Sequence, residues 1–594
     1  MSRRGATRAR RRWYQRVWLW ILLAIVLIVA AAAVAGAMLV PKVFAVRDAM
    51  EAAIPLASDA QTQILAGDTA ASAATVSELS AHVDEAREHT ESPLWTMAEV
   101  LPVVGANLAA VRQTVAAVDE LVTDAVAPAT TLSLEALKPR DGRFDLAALQ
   151  EAGAVVDTAA EAVASARATL DGIDRDGLIG QVTSAVDRLD TMLTKVEPMI
   201  GPAQTALQLL PPALGAEGPR NYLFLFQNNA ESRGTGGNPA AIVLLHVADG
   251  EISIAQQASS DDFNNRRPEP IIPLDPGTEA LYGDKIGRYM QDVMLTPDFT
   301  ESADIMQAFW AESFGTPLDG VVSFDPVALS YLLQATGPVT LTTGDVLTGE
   351  NAVPILLNEV YARFPDSEMQ DAFFAAAAVS IFDVVSSGAG DLDALLAAFT
   401  RAIDEGRLMY VPTAAEEAEF IAGTRVSGIP PLDNAEQTML GVYVNDITEG
   451  KLDYYVDLSV AASSDQCQVE GAPTFAATAT LTNTLDPAAV AGLATYISPA
   501  RFFPKGWVTT DLVLYGPVGA EFASATVDGQ PVAVTALTHL DRPAVKITVM
   551  NQPGQTHTVT AVFTGDADED YGPLTVQHTP MVRPTEVTID TPGC

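Results

Sequence analysis

Asn221-Tyr-Leu-Phe-Leu-Phe-Gln-Asn-Asn-Ala-Glu-Ser-Arg-Gly-Thr-Gly-Gly-Asn238 sets an unbroken apolar run, Tyr222 to Phe226, against a polar, glycine-rich stretch. A short run of aromatic and branched residues with no polar alternation reads as a strand covered on both faces. Ala240 to Val247 reads as a second strand, and Asp249-Gly250 marks a hairpin into Glu251-Ile-Ser-Ile254. Helical spacing follows at Ser302–Phe314, Pro326–Thr336, Asn351–Arg363, Glu368–Ser387 and Leu392–Glu405, with strand-like Val321–Phe324 and Val339–Leu341 between. Asp325 before Pro326 is a sound helix start, because the carboxylate can accept the unpaired amides of the first turn. Residues 220–440 therefore read as an α/β core, a sheet covered by helices.

The flanks have different textures. From Gly441 onward the chain is all-β, with strands legible at Leu452–Val460, Phe475–Thr482, Val508–Tyr515, Phe522–Val527, Val532–Ala536, Val545–Val549, Thr556–Phe563 and Leu574–His578. Turn pairs such as Asp486-Pro487, Gly516-Pro517 and Asp528-Gly529 separate them at the spacing of an immunoglobulin-like sandwich over 441–594. Residues 44–215 are rich in Ala, Val, Leu, Asp and Glu, and Val104, Leu108, Val111, Val115, Val118, Leu121 and Val122 recur at helical spacing. Pro93, Pro102, Pro128, Pro139 and Pro198, with Gly172 and Gly180, are expected to cut this region into a short antiparallel bundle. Such a segment either senses a ligand or holds the next domain off the membrane.

The N-terminus supplies the address. Arg3, Arg4, Arg8, Arg10, Arg11, Arg12 and Arg16, with no acidic residue among them, form a basic tail over 1–16 that runs into uncharged Val17–Val40. A helix of 24 residues spans roughly 36 Å, enough for a hydrocarbon core of roughly 30 Å. Residues 17–40 thus read as a single transmembrane helix, with the basic side cytoplasmic and the bulk of the chain extracellular. Trp13, Tyr14, Trp18 and Trp20 sit at the entry end, where amphipathic rings favour the headgroup level. Ala33-Val34-Ala35 leaves a second reading open, that of a cleaved signal peptide.

A formal charge of −41 excludes nucleic acid as a partner class, since phosphate neutralisation needs a basic surface. Cys467 and Cys594 are the two cysteines. Outside the membrane an even pair reads as one disulfide, the alternative being two free thiols. The histidines are scattered and no CxxC or HxxxH spacing occurs.

Three polar knots carry the candidate chemistry. In the first, Gly236 and Gly237 let backbone amides approach an anion, and Asn228, Asn229, Arg233 and Asn238 surround them. Arg233 offers a bidentate fork to phosphate, or else pairs locally with Glu231. The second is Asp261-Asp262-Phe-Asn-Asn-Arg266-Arg267. Its carboxylates could hold a divalent cation such as Mg2+ beside a phosphate, or the four charges could neutralise one another. The third runs from Arg288 through Asp292 to Asp298, where Asp298 would ligate a cation or cap the helix after it.

NYLFLFQNNAESRGTGGN, LTPDFTESADIM, LDGVVSFDPVALSYLLQATGPV and GVYVNDITEGKLDYYVD resemble, in that order, motifs of the actinobacterial membrane-anchored family catalogued as domain of unknown function 4012. The resemblance runs from Leu101-Pro-Val-Val-Gly105 to near the end and implies no activity. More distantly, the order of arginine-bearing loop, hairpin, acidic knot, Asp319–Asp325, helix and Gly337-Pro-Val339 is similar to the LytR–CpsA–Psr phosphotransferases. That likeness implies transfer of a cell-envelope glycopolymer from a polyprenyl pyrophosphate carrier. Arg233 would match the first-motif arginine and Asp262 the aspartate closing the second motif. The first-motif aspartate is replaced by Gly237 or Asn238, and Asp261 stands where an arginine is expected. Two functional readings follow: a binder or scaffold for envelope glycopolymer or its lipid carrier, and an active phosphotransferase.

Protease treatment of intact cells should remove everything beyond about Phe44, since the charge bias places Asp48 outside. Protection of the C-terminal part, or release of the protein with Gly36 or Met38 as its first residue, would contradict the anchor.

Overall fold

The computed structural model describes residues 9–102, 104–469 and 471–594. Arg3, Arg4 and Arg8 of the basic tail and Val103 of the Leu101–Gly105 motif lie outside the described residues. The chain divides into two compact units, residues 1–137 with 145–211, and residues 138–144 with 212–594.

The first unit is helical. Helix Ala9–Leu65 runs through Val17–Val40 without interruption, with Pro41 and Pro55 inside it, so the expected boundary between an anchor ending at Val40 and a bundle starting at Phe44 is not a break in the backbone. A turn at 66–68 reverses the chain into Thr69–Thr90, whose start is capped by Asp68 accepting from Ala71 N. Gly105–Glu120, Leu146–Asp171 and Gly180–Ala213 complete the longer helices. Pro198 does not cut the last of these, contrary to expectation. Glu197 and Met199 beside it are exposed, so water can serve the carbonyl that loses its amide partner. Ala110, Ala117, Val163, Ala166, Leu170, Val186 and Leu193 form one small core, and Trp95 is fully buried with its indole N–H donating to Leu108 O at 3.0 Å.

In the second unit a five-stranded sheet has the order β3-β2-β1-β4-β7, with β1 Arg220–Arg233, β2 Gly236–Ala248, β3 Glu251–Ser259, β4 Gly320–Phe324 and β7 Leu408–Pro412. Strands β5 Val339–Thr340 and β6 Val346–Leu347 make a separate small pair. β1 pairs antiparallel with β2 and parallel with β4. Its alternation explains why the run at 222–226 is apolar throughout. Leu223 and Leu225 enter a core with Phe299, Ile305, Phe309 and Trp310 of helix Phe299–Ser313, while Phe226 meets the opposite core of Phe324, Leu329, Leu356 and Phe373.

Two further sheets stack beyond the first core. One has the order β14-β15-β11-β8-β17 and the other β13-β12-β16-β10-β9-β18. Their strands are β8 Thr438–Asp446, β9 Val456–Ser464, β10 Thr474–Asn483, β11 Val508–Tyr515, β12 Glu521–Val527, β13 Gln530–Val532, β14 Leu537–His539, β15 Arg542–Asn551, β16 Thr556–Thr564, β17 Leu574–His578 and β18 Glu586–Asp590. Leu440, Val442, Val444, Leu512 and Val545 of the first sheet face Leu458, Val460, Ala479, Val559 and Phe563 of the second. On the opposite face of β8 and β11, Tyr443, Val513 and Tyr515 join the core of helix Phe299–Ser313. β8 is therefore buried along its whole length, and no boundary between compact units falls at 440/441. The parallel pairs β17–β8 and β18–β9 depart from the antiparallel order expected of an immunoglobulin-like sandwich.

Among the described residues one helix, Ser367–Ser386, is long and apolar enough to cross a membrane by length and composition. It buries Phe373 and Ala377 against the core of the first sheet.

Cys467 and Cys594 are bonded, with Cα atoms 5.3 Å apart, and the bridge holds the end of the chain where β18 lies on the edge of β9. Closing a loop of 127 positions contributes about 4–5 kcal/mol in the chain-entropy picture. Alkylation of the folded, unreduced protein should label neither cysteine, and Cys467→Ser with Cys594→Ser should lower denaturant stability by that order.

Candidate functional site

The glycine-rich stretch is not an open loop. β1 continues through it to Arg233 and turns at Gly234-Thr235 into β2, so Gln227–Asn238 forms the tip of a long hairpin. Gly237 passes so close to the partner strand that a Cβ would lie 2.2 Å from Asn228 O. Gly236 has φ +138°, and a Cβ there would meet the Gln227 carboxamide. These glycines are required by strand-to-strand approach.

The tip is held by the segment from β8 to β9. Gly234 N donates to Asn445 Oδ1 at 2.8 Å, and Ser232 N donates to Asp453 Oδ2 at 2.8 Å. Glu231 pairs with Lys451 and accepts from Asn238 Nδ2. The Lys451 ammonium also stands 5.2 Å above the Tyr361 ring and 5.6 Å from Tyr496, two rings stacked in parallel. Arg233 donates to Ser232 O at 3.0 Å and stands 3.5 Å from Asp292, and its buried Nε has no partner.

Four carboxyls thus share two cations in a buried space. Burial works to raise the Glu231 pKa, yet Lys451 and Arg233 more than offset it, and Glu231 is lowered. Burial pushes Asp446 well above its ordinary value, and nearby Asp453 adds to the rise. Burial takes Asp453 up to about 6, opposed by the Ser232 N–H and by Arg233.

Behind the tip lies a second buried network. Asp325 caps helix Pro326–Thr336 by accepting from Ala328 N at 2.7 Å. Its other oxygen accepts from Arg407 Nη1 at 2.8 Å and Asn229 Nδ2 at 3.0 Å. Asn229 also donates to Pro580 O at 2.9 Å, and Arg407 to Met581 O at 3.0 Å. Asn228 donates to the Tyr361 hydroxyl at 2.6 Å.

A small apolar cavity of about 60 Å³ opens between β1, β2 and the helices on that face of the sheet. Phe226, Leu329, Leu356, Phe374, Ala378 and Ile381 make its walls, with Gln227, Asn228, Asp325 and Tyr361 at its polar end. Phe226, Ala240, Ala241, Phe374, Ala378 and Ile381 are only half-buried, so the cavity reaches solvent. Its polar groups are occupied by one another: Gln227 accepts from Gly237 N and donates to Ser323, while Asn228 holds Ala230 N and Tyr361.

The remaining expected residues are distributed elsewhere. Arg267 pairs with Glu312 at 2.6 Å, and Arg288 pairs with Asp284 at 3.0 Å while donating to Arg267 O. Arg266 is exposed. Asp262 accepts from Ser259 N at 2.8 Å, and Asp261 beside it is exposed; both raise the pKa of Asp371, whose larger cause is burial. Asp298 caps helix Phe299–Ser313 through Thr300 N and Glu301 N. Asp292 faces Arg233. Among the described residues, no group of three or more His, Cys, Asp or Glu is placed to hold a metal ion. Of Asp261, Asp262, Asp292 and Asp298, expected to hold a cation, Asp262 and Asp298 cap helical turns and Asp292 is paired with Arg233. Sequence reasoning missed Asp446, Lys451 and Asp453 as partners of the hairpin, although all three lie in the GVYVNDITEGKLDYYVD motif. It also missed Arg407, for which no local signal exists.

Residues 217–361 match the family described as "Protein of unknown function (DUF4012)". The matched segment holds β1 to β4, the hairpin tip and most of the cavity wall, and ends at Tyr361. No curated protein matches the chain. One solved structure, a "putative nutrient binding protein" from Legionella pneumophila, is similar over 22% of this chain at 13% identity with a TM-score of 0.14, and the chain spans 45% of that protein's length.

Asp453 predicts an unusual pH dependence for the larger unit. Its folded pKa of about 6 lies above the ordinary 3.8, so the folded state holds a proton that the unfolded chain releases. The stabilisation is complete below the unfolded value and is lost as pH rises through 6. Stability should therefore rise on acidification from pH 8 to pH 5, on the order of 1–1.5 kcal/mol. Asp453→Asn keeps an acceptor for Ser232 N and should flatten this dependence while raising the melting temperature at pH 8. Calorimetric scans across the range check both.

Proposed function

We propose that this protein is a membrane-anchored binding and scaffolding protein of the cell envelope, whose cavity takes the apolar chain of a polyprenyl-linked glycopolymer carrier. The observation that carries the reading is the cavity. Its walls are aliphatic and aromatic, its polar end is internally satisfied, and it is open to solvent, properties that suit a hydrocarbon chain with its charged head left outside. Helix Ala9–Leu65 supports the membrane part of the reading, because Trp18, Trp20, Ile21, Leu22, Leu23, Ile25, Val26, Leu27, Val34, Met38 and Val40 are all exposed on it. An anchor there would leave the remainder extracellular, in keeping with the bonded cysteines.

Binding is favoured over glycopolymer phosphotransfer of the LytR–CpsA–Psr kind by the state of Arg233. Its guanidinium is enclosed with Asp292, Glu231 and the backbone of Ser232. Releasing it to a pyrophosphate would leave Asp292 without its counter-charge, which costs about 3–5 kcal/mol for a broken buried pair.

A photoreactive polyprenyl phosphate should label the full-length protein in native membranes. Ala378→Phe fills the half-buried wall of the cavity, and excluding two or three methylenes at about 0.8 kcal/mol each should cut labelling roughly ten- to hundredfold. Arg266→Ala, at an exposed position outside the cavity lining, should leave it unchanged. No labelling of the wild type, or equal labelling of Ala378→Phe, would overturn the reading; magnesium-dependent transfer of the glycan to cell wall would favour the phosphotransferase.

A further inference from the structure

We propose that the segment Ala500–Gly506, between β10 and β11, is an interfacial tip that seats Phe502 in an anionic lipid surface. The inference rests on the membrane anchorage proposed above and concerns a surface far from the cavity in sequence.

Phe502 is 84% exposed, among the most exposed large apolar side chains described. A lone exposed ring is ordinary on a soluble protein. What sets this one apart is the support built under it. Glu449 Oε1 accepts from Arg501 N at 2.5 Å and from Phe502 N at 2.8 Å, so a carboxylate grips the backbone of the tip. Ala500 adopts φ +55°, a left-handed conformation unfavourable for a residue with a Cβ. Gly506 N donates to Ser498 Oγ at 3.0 Å, and the Lys505 ammonium donates to Leu493 O at 2.9 Å and Ala491 O at 3.3 Å. At the base, Gly450 with φ +113° is packed so that a Cβ would lie 2.3 Å from Ile497 O. The chain is thus pinned on both sides of a ring that itself touches little.

The charge pattern names the partner. Arg501 is exposed and makes no ion pair among the described residues, and Lys505 is bonded to carbonyls with no carboxylate partner there. Two cations without carboxylate partners among the described residues flank exposed Phe502 and half-buried Phe503, in a chain of net charge −41. An aromatic wedge bordered by arginine and lysine is suited to the headgroup boundary, where the ring enters the acyl layer and the cations meet phosphates. A protein partner would need a contiguous patch of roughly 800 Å², which a single protruding ring with polar neighbours does not offer. Tethering by the N-terminal helix raises the effective concentration of the tip at the bilayer, so a weak insertion suffices.

The test uses the full-length chain in lipid nanodiscs. Because Cys467 and Cys594 are bonded to each other, Phe502→Cys introduces one free thiol, which is labelled with an environment-sensitive fluorophore. Thr535→Cys, on an exposed loop, serves as reference. In discs of mixed zwitterionic and anionic phospholipid, the probe at 502 should shift to the blue and be quenched by nitroxide lipids several-fold more than the probe at 535. Arg501→Glu with Lys505→Glu should abolish the difference. A polar, unquenched probe at 502 on chains that co-isolate with the discs would overturn the proposal while leaving the anchor intact. A blue shift without nitroxide quenching would overturn it in favour of a protein contact. Chains that do not co-isolate with the discs would overturn the anchorage and this proposal together.

Discussion

The structure of the larger unit depends on one constraint, the burial of charge where the β1–β2 hairpin tip meets the segment between β8 and β9. Glu231, Arg233, Asp292, Asp446, Lys451 and Asp453 cannot be stable there singly. Each ionised group has lost water, and in a low-dielectric space only a matched neighbour or a retained proton compensates. The tip therefore has one acceptable seat. That requirement fixes the register between the α/β layer and the β sheets more tightly than apolar packing alone would, since hydrophobic contact is tolerant of small slips.

The need to pair buried polar groups also shapes the cavity. Asn228 and Gln227 stand at its polar end but are turned inward, to Tyr361 and to the backbone of Gly237. Asp325 is committed to Arg407, Asn229 and a helix start. A ligand entering from the solvent side meets carbon on the walls and satisfied dipoles at the end, so affinity would come from displaced water and dispersion contacts. Residues that look like chemistry in the chain order are, in space, bonded to one another at the polar end of the cavity.

Much of the fold was legible because its elements are locally consistent. Pro326–Thr336 begins and ends where an Asp-Pro start and a glycine stop place it, and β11 and β17 coincide with the runs at Val508–Tyr515 and Leu574–His578. β18 escaped notice because Glu586–Asp590 is exposed throughout and carries no apolar alternation; it is a strand through its parallel pairing with β9 beside the disulfide. The continuity of helix Gly180–Ala213 through Pro198 was equally hidden, since one missing amide is a local cost that a solvated helix can bear.

Arg233 marks the limit of local reading. Glycines, asparagines and an arginine between two strands are equally the composition of an anion loop and of a hairpin tip packed against another layer. The amino-acid sequence by itself determined the order of textures, most strands and helices of the α/β core though not β7, and the expectation that the two cysteines pair, because periodicity, caps and compartment act within a few residues or on a count. Tertiary structure alone decided that Arg233 would face Asp292 and Asp446, that Asp325 would find Arg407 82 positions away, and that an apolar cavity would open beside them. Those outcomes depend on which distant groups share the same desolvated space, and electrostatic pairing energy is set by separation in space, to which separation along the chain is no guide.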